Sequence, residues 1–188
     1  MRMKELLLPA LLLMTSARLL PAERAIELDV TVAAAPARVW EAWTTTEGVK
    51  TFFAPDARVE LRVGGPFEIY FNPLAAPGLK GADDMRILAF QEGRMLSFDW
   101  NAPPHLPAVR AQRTHVVVRL EAAGEGRTRV TLRHDGWGDG GEWDQAYAYF
   151  QKAWLQVLGN LQKRFETGPV DWTEWMARMR EFMARQGK

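Results

Sequence analysis

The chain contains no cysteine in 188 residues. That absence removes disulfides, thiol nucleophiles, iron–sulfur clusters and thiolate zinc sites at once. Histidine is scarce too: His105, His115 and His134 are too scattered to show metal-ligand spacing, and no His-Glu-x-x-His helix or two-histidine–carboxylate set can be recognised. No metal and no cofactor are expected. Charge of one sign is also lacking, since 24 Lys plus Arg face 23 Asp plus Glu, for a formal net charge of +1. Nucleic acid, which basic side chains must neutralise, is not an expected partner. There is no apolar run of the roughly 20 residues that a membrane-spanning helix needs. What the chain has instead is aromatic bulk, eight Trp and nine Phe, the lining of an apolar pocket or the filling of a core.

At the N-terminus Arg2 and Lys4 precede the apolar stretch from Leu6 to Met14, and Thr15-Ser16-Ala17 follow. Charged, apolar and small-residue regions in that order predict a secretory leader over 1–17, with cleavage as late as residue 25, and a periplasmic or secreted mature protein. Ile26-Glu27-Leu28-Asp29-Val30-Thr31-Val32 then alternates with the period of a half-buried strand. The spacing of Val39, Trp40 and Trp43 after Pro36 predicts a helix, and a second short one covers 46–51. Residues 58–63 and 67–71 predict a first hairpin, 85–90 and 94–100 a second, and 114–121 and 127–134 a third; 72–84 and 102–109 read as loops. From Glu142 to Phe165 aromatic and aliphatic residues recur at three- and four-residue steps, a long amphipathic helix that Gly168-Pro169 stops.

Three hairpins leave a curved antiparallel sheet with one apolar face, and the last long helix is the element able to cover it. The expected fold is therefore α+β: a helix-grip architecture over residues 26–168, with an extra amphipathic helix in 169–188.

Four ordered segments carry a family resemblance: Ala35-Pro36-Ala37-Arg38-Val39-Trp40-Glu41-Ala42-Trp43, Arg62-Val63-Gly64-Gly65-Pro66-Phe67, Arg94-Met95-Leu96-Ser97-Phe98-Asp99-Trp100, and Thr128-Arg129-Val130-Thr131-Leu132-Arg133-His134-Asp135-Gly136-Trp137. Together they resemble homologues of the activator of the heat-shock-protein-90 ATPase, members of the START-like (SRPBCC, Bet v 1-like) helix-grip superfamily. The resemblance implies the same fold over about 26–166. That superfamily hosts carriers, cyclases, oxygenase domains and chaperone activators, so function must be argued from the site.

Around the space between sheet and helix the sequence places Phe67, Ile69, Phe71, Phe98, Trp100, His134, Trp137, Trp143 and Tyr147, as the lining of a pocket for a small hydrophobic ligand. No catalytic set accompanies them. His134, inward on its strand, is the base in an alternative cyclase or hydrolase reading, with Arg113 or Tyr147 assisting; bonding within the strand end is its structural reading. Asp99, Asn101 and Arg113 are candidates for polar orientation of a ligand. His115 falls out of phase with Val116, Val118 and Leu120 and should face outward, while His105 sits in a proline-rich loop at a possible rim. The tail from Asp171 to Met183 carries Trp172, Trp175, Met176, Met179, Phe182 and Met183 on one face. That face needs cover, from the domain itself, a second copy in a homodimer, or a membrane surface. A third functional reading is a protein-interaction or chaperone-activator-like module.

Overall fold

A computed structural model describes residues 23–186; the expected leader over 1–17 lies outside them. In chain order the elements are β1 (Ile26–Val32), α1 (Pro36–Thr44), α2 (Thr46–Lys50), β2 (Asp56–Val59), β3 (Phe67–Tyr70), β4 (Gly81–Ala82), β5 (Ile87–Gln91), β6 (Met95–Trp100), α3 (Pro107–Arg110), β7 (Thr114–Ala122), β8 (Thr128–Asp135), α4 (Glu142–Glu166) and α5 (Thr173–Gln186). β1, β8, β7, β6 and β5 form one antiparallel sheet in that order, and β2, β3 and β4 form a second. The two are joined where Pro66 bridges Arg86 and Phe67 N–H donates to the Met85 carbonyl at 2.8 Å. The wall is thus continuous but sharply bent.

Period-two patterning sets which faces turn inward. Thr114, Val116, Val118 and Leu120 of β7 are buried in register with Thr128, Val130, Leu132 and His134 of β8, and β1 closes the row with Ile26 opposite His134. Across that face lies α4, burying Ala146, Phe150, Trp154, Val157, Leu158 and Leu161. Each large apolar side chain so buried contributes roughly 1.5–3 kcal/mol. Pro36 occupies the first turn of α1, where its missing N–H costs nothing, and Thr45 caps α2 by accepting from Gly48 N–H at 2.9 Å. α1 carries Trp43, and the turn after α2 carries Phe52 and Phe53, under the wall, with ring centroids 5.0 to 5.7 Å apart.

Three expectations need correction. The strand expected over 58–63 runs instead from Asp56 to Val59: beyond it the chain coils through the Arg62 to Gly65 turn, and Leu61 and Val63 stay exposed because nothing covers them. The loop expected over 72–84 contains β4, which Gly81 makes possible. At φ 152° its absent Cβ would sit 2.6 Å from the Ile69 carbonyl oxygen. The 102–109 loop holds a single helical turn, α3. In β5 the register shifts between Ile87 and Ala89, which leaves Leu88 facing solvent.

Candidate functional site: a cleft closed by the C-terminal helix

Along most of α4 the space below the wall is filled. Phe67 stacks on Phe98 at 4.1 Å, and Ile69 is wholly buried beside them. His134 is fully buried, 4.1 Å from the Trp137 ring and 5.2 Å from Phe150. Its hydrogen bonds fix its chemistry. Trp154 Nε1–H donates to His134 Nδ1 at 2.8 Å, so that nitrogen carries no proton; Nε2–H then donates to Thr114 Oγ1 at 2.7 Å, and the Thr114 hydroxyl donates to the Trp100 carbonyl at 3.1 Å. Burial, with His115 nearby, pushes the His134 pKa well below its ordinary 6.5, so the imidazole is neutral. Both ring nitrogens are engaged within the protein. Tyr147 donates to the Ala25 carbonyl at 3.0 Å, Trp137 to the His134 carbonyl at 2.9 Å, and Trp143 packs so tightly over Gly138 that a Cβ there would lie 2.2 Å from its indole nitrogen.

An opening lies at the far end. Where β3 and β6 finish, a cleft of about 900 Å³ lies between the sheet edge, the N-terminal half of α4 and α5. That volume is within the range of roughly 300–1,000 Å³ typical of small-molecule sites. Phe71, Trp100, Asn101, Phe150 and Ala82 line it from the domain; Ala75, Ala76, Leu79 and Lys80 come from the loop after β3; Pro103, Pro104, His105 and Tyr149 form another side; and Trp175, Met179, Phe182 and Met183 project from α5. Of the nine residues expected to line a pocket, Phe71 and Trp100 do so. Phe67, Ile69, Phe98, His134, Trp137, Trp143 and Tyr147 do not line it, because ring-on-ring packing and internal hydrogen bonds occupy them. Asn101 reaches the cleft, whereas Arg113 bonds the Arg110 carbonyl at 3.1 Å and approaches Asp99 at 3.8 Å, away from it. His115 faces outward, hydrogen-bonded to Ser97 at 2.8 Å and Asp135 at 3.3 Å, and His105 lies on the rim, 5.8 Å from the Tyr149 ring.

Two devices hold the cleft open. Arg110 donates to the carbonyls of Ala102, Gly78 and Gly81 and pairs with Asp83 at 3.3 Å; Asp83 in turn accepts from Gly78 N–H and Gly81 N–H, each at 2.9 Å. This buried clamp ties the loop after β3 to the loop before α3. The tail is pinned at its start: Val170 N–H donates to the Thr51 carbonyl at 2.9 Å, Trp172 Nε1–H to that of Lys50 at 2.7 Å, and Trp175 Nε1–H to that of Phe71 at 2.6 Å. The start of the tail is therefore tied to its own domain, while Phe182 further along the same face stays exposed.

Comparison with known proteins gives this geometry a context. The family model described as Activator of Hsp90 ATPase homolog 1-like protein matches residues 33–166. The chain belongs to that family. Among solved structures, protein MLL2253 from Mesorhizobium loti superposes with a TM-score of 0.62 at 20% identity, over 78% of this chain and 100% of that one. The Aha1 dimer from Colwellia psychrerythraea gives 0.61 at 20% identity, over 77% and 98%. PFC0360w, an Hsp90 activator from Plasmodium falciparum, gives 0.56 at 16% identity, over 78% and 97%. At these identities the likeness establishes the helix-grip fold. The search of curated proteins gave no match. The family region ends before α5, so Trp175, Met179, Phe182 and Met183 extend this member's cleft beyond what the family model covers.

The sequence offered a signal for those four residues, the apolar stripe of the tail, but not for where it lands. Leu79, Lys80 and Tyr149 had no such signal: two lie in an aperiodic loop and the third on the solvent side of α4.

Proposed function

We propose that this protein is an exported START-like carrier that takes a small hydrophobic molecule into the cleft between sheet edge, α4 and α5. The observation carrying this reading is an unfilled space of about 900 Å³ with walls of Phe71, Trp100, Phe150, Trp175, Met179 and Phe182. Such walls bind by removing apolar surface from water, at roughly 25 cal/mol per Å², and Met side chains adapt to varied shapes. His134, neutral, buried and bonded at both nitrogens, reads as a structural hydrogen-bond node, and the cyclase or hydrolase alternative would need another base.

A thermal-shift and native mass-spectrometry screen of the purified chain against lipids, sterols and polycyclic aromatics tests the carrier reading. Stabilisation with a one-to-one adduct is expected from at least one class; no stabilisation across all of them would end it. N-terminal sequencing of protein recovered from the periplasm or medium tests export, with a new terminus expected between residues 18 and 26 and an intact Met1 contradicting it.

A second reading, a protein-interaction module, draws on exposed apolar side chains at the cleft mouth, Leu79, Tyr149 and Phe182. The Colwellia relative is a dimer. Sedimentation at rising concentration distinguishes the two readings: self-association abolished by Phe182→Asp would favour the interface, and a monomer that still binds ligand would favour the carrier.

A further inference from the structure

Among the polar residues that line the cleft, Asn101 stands apart. It is 5% exposed, yet its amide has little to bond to: Nδ2–H donates to the Asp83 carbonyl at a long 3.5 Å, and Oδ1 has no hydrogen-bond partner among the described residues. That oxygen is not sealed from solvent, as the unpartnered Arg24 Nε and Trp43 Nε1 are; Asn101 is a wall residue, so the space it meets is the cleft. The other amide in these walls is engaged, Asn72 Oδ1 accepting from Leu74 N–H at 3.3 Å and Nδ2 turning to Met183 Sδ at 3.5 Å. A buried amide left unpaired costs free energy, and a ligand that fills the cleft without matching it forfeits affinity.

The backbone holds this amide still. Trp100, just before it, ends β6 with its carbonyl accepting from Thr114 Oγ1 at 3.1 Å, and Ala102, just after it, is held through its carbonyl by Arg110. A neutral hydroxyl complements such a group fully: it gives its proton to Oδ1 and takes the remaining Nδ2–H. A carboxylate only accepts and an ammonium only donates, so each meets one half of the amide and is repelled by the other. The aromatic walls attract a cation through their ring faces, but no Asp or Glu lines the cleft to offset the loss of its hydration. For an anion the cations are misplaced. The Lys80 ammonium lies 5.0 Å over the ring of Tyr70, which is not a wall residue, and His105 packs at the rim against Tyr149, with no hydrogen bond to Asn101.

We infer that Asn101 selects the polar end of the ligand, and that the ligand is an uncharged amphiphile bearing a hydroxyl, an alcohol or a phenol. Its hydroxyl pairs with the Asn101 amide, and its apolar body lies against Phe71, Trp100, Phe150 and Met179. This inference rests on the carrier reading and deepens it by naming the class of molecule carried.

The test is calorimetric titration of the full chain with decan-1-ol, its isomer 1-methoxynonane, which has no proton to donate, decylamine and decanoate, each below its solubility or micelle limit. The alcohol is expected to bind about fivefold more tightly than the ether, as one net hydrogen bond allows, and more tightly than either ion. Asn101→Leu should remove the alcohol's advantage without weakening the ether, Asn101→Asp should place the amine first, and His105→Gln should leave the order unchanged. Equal affinity for alcohol and ether in the wild-type chain, an ion bound most tightly, or an alcohol advantage that survives in Asn101→Leu overturns the hydroxyl class while leaving the carrier reading standing. Absence of binding by all four overturns both.

Discussion

The two aromatic-rich regions of this molecule are built from the same kinds of residue and end in opposite states. Around His134, on a strand whose register is fixed by a continuous antiparallel ladder, the rings of Trp137 from the turn after β8 and of Phe150 and Trp154 from α4 close in. Every polar atom of that imidazole finds a partner, and the space closes. Around Trp100, the facing walls come from a loop and a tail helix held by a few hydrogen bonds, and a cleft remains. Aromatic composition alone does not decide between core and pocket. What decides is whether the opposing surface is a register-locked strand or a separately anchored segment.

The largest expected effect falls on the closed region. His134→Ala removes a fully buried ring, strands the Trp154 N–H and takes a donor from the Thr114 hydroxyl, so denaturant unfolding should show a loss of about 3–4 kcal/mol. A loss below about 1 kcal/mol would mean that the two regions are not so different in packing. Next, Arg110→Met should cost about 2 kcal/mol, since the buried Asp83 keeps its two backbone donors but loses its cation. The same variant should weaken ligand binding, whereas His134→Ala should lower affinity only in proportion to unfolding.

Acid should separate the regions as well. The folded His134 has a depressed pKa, so below 6.5 the unfolded chain binds a proton that the folded chain does not. Its contribution is fully present above that value and is lost as the pH falls, by up to about 1.4 kcal/mol per pH unit. Comparing unfolding at pH 7.5 and 5.5, wild type should lose roughly 1–2 kcal/mol more than His134→Gln. Parallel profiles would show that the imidazole is accessible to protons in the folded state. The smallest effect is expected from Trp175→Phe, which deletes one hydrogen bond to the Phe71 carbonyl and should cost about 1 kcal/mol or less.

The same contrast explains what could be read from the sequence. Alternation in β7 and β8 and the helical spacing of α4 placed the wall, the covering helix and the inward His134, because register-locked elements advertise themselves by period. The end of β2 at Val59 was not legible: Leu61 and Val63 continue the alternation, and only the turn at Gly64 shows that nothing covers them. Nor was the cleft, whose Leu79 and Lys80 lie in an aperiodic loop positioned by Arg110, 30 residues or so further along the chain. The stripe of the tail was visible, while its destination depended on single tryptophan N–H bonds to the carbonyls of Lys50 and Phe71 that no local pattern encodes.

The most direct measurement of the carrier claim is a calorimetric titration of decan-1-ol into the wild-type chain and into Met179→Asp, a half-buried tail position whose substitution should leave the domain folded. Saturable one-to-one binding in the first, lost in the second at an unchanged melting temperature, is the predicted result. Wild-type binding that Met179→Asp leaves intact, or no saturable binding at all, would contradict it.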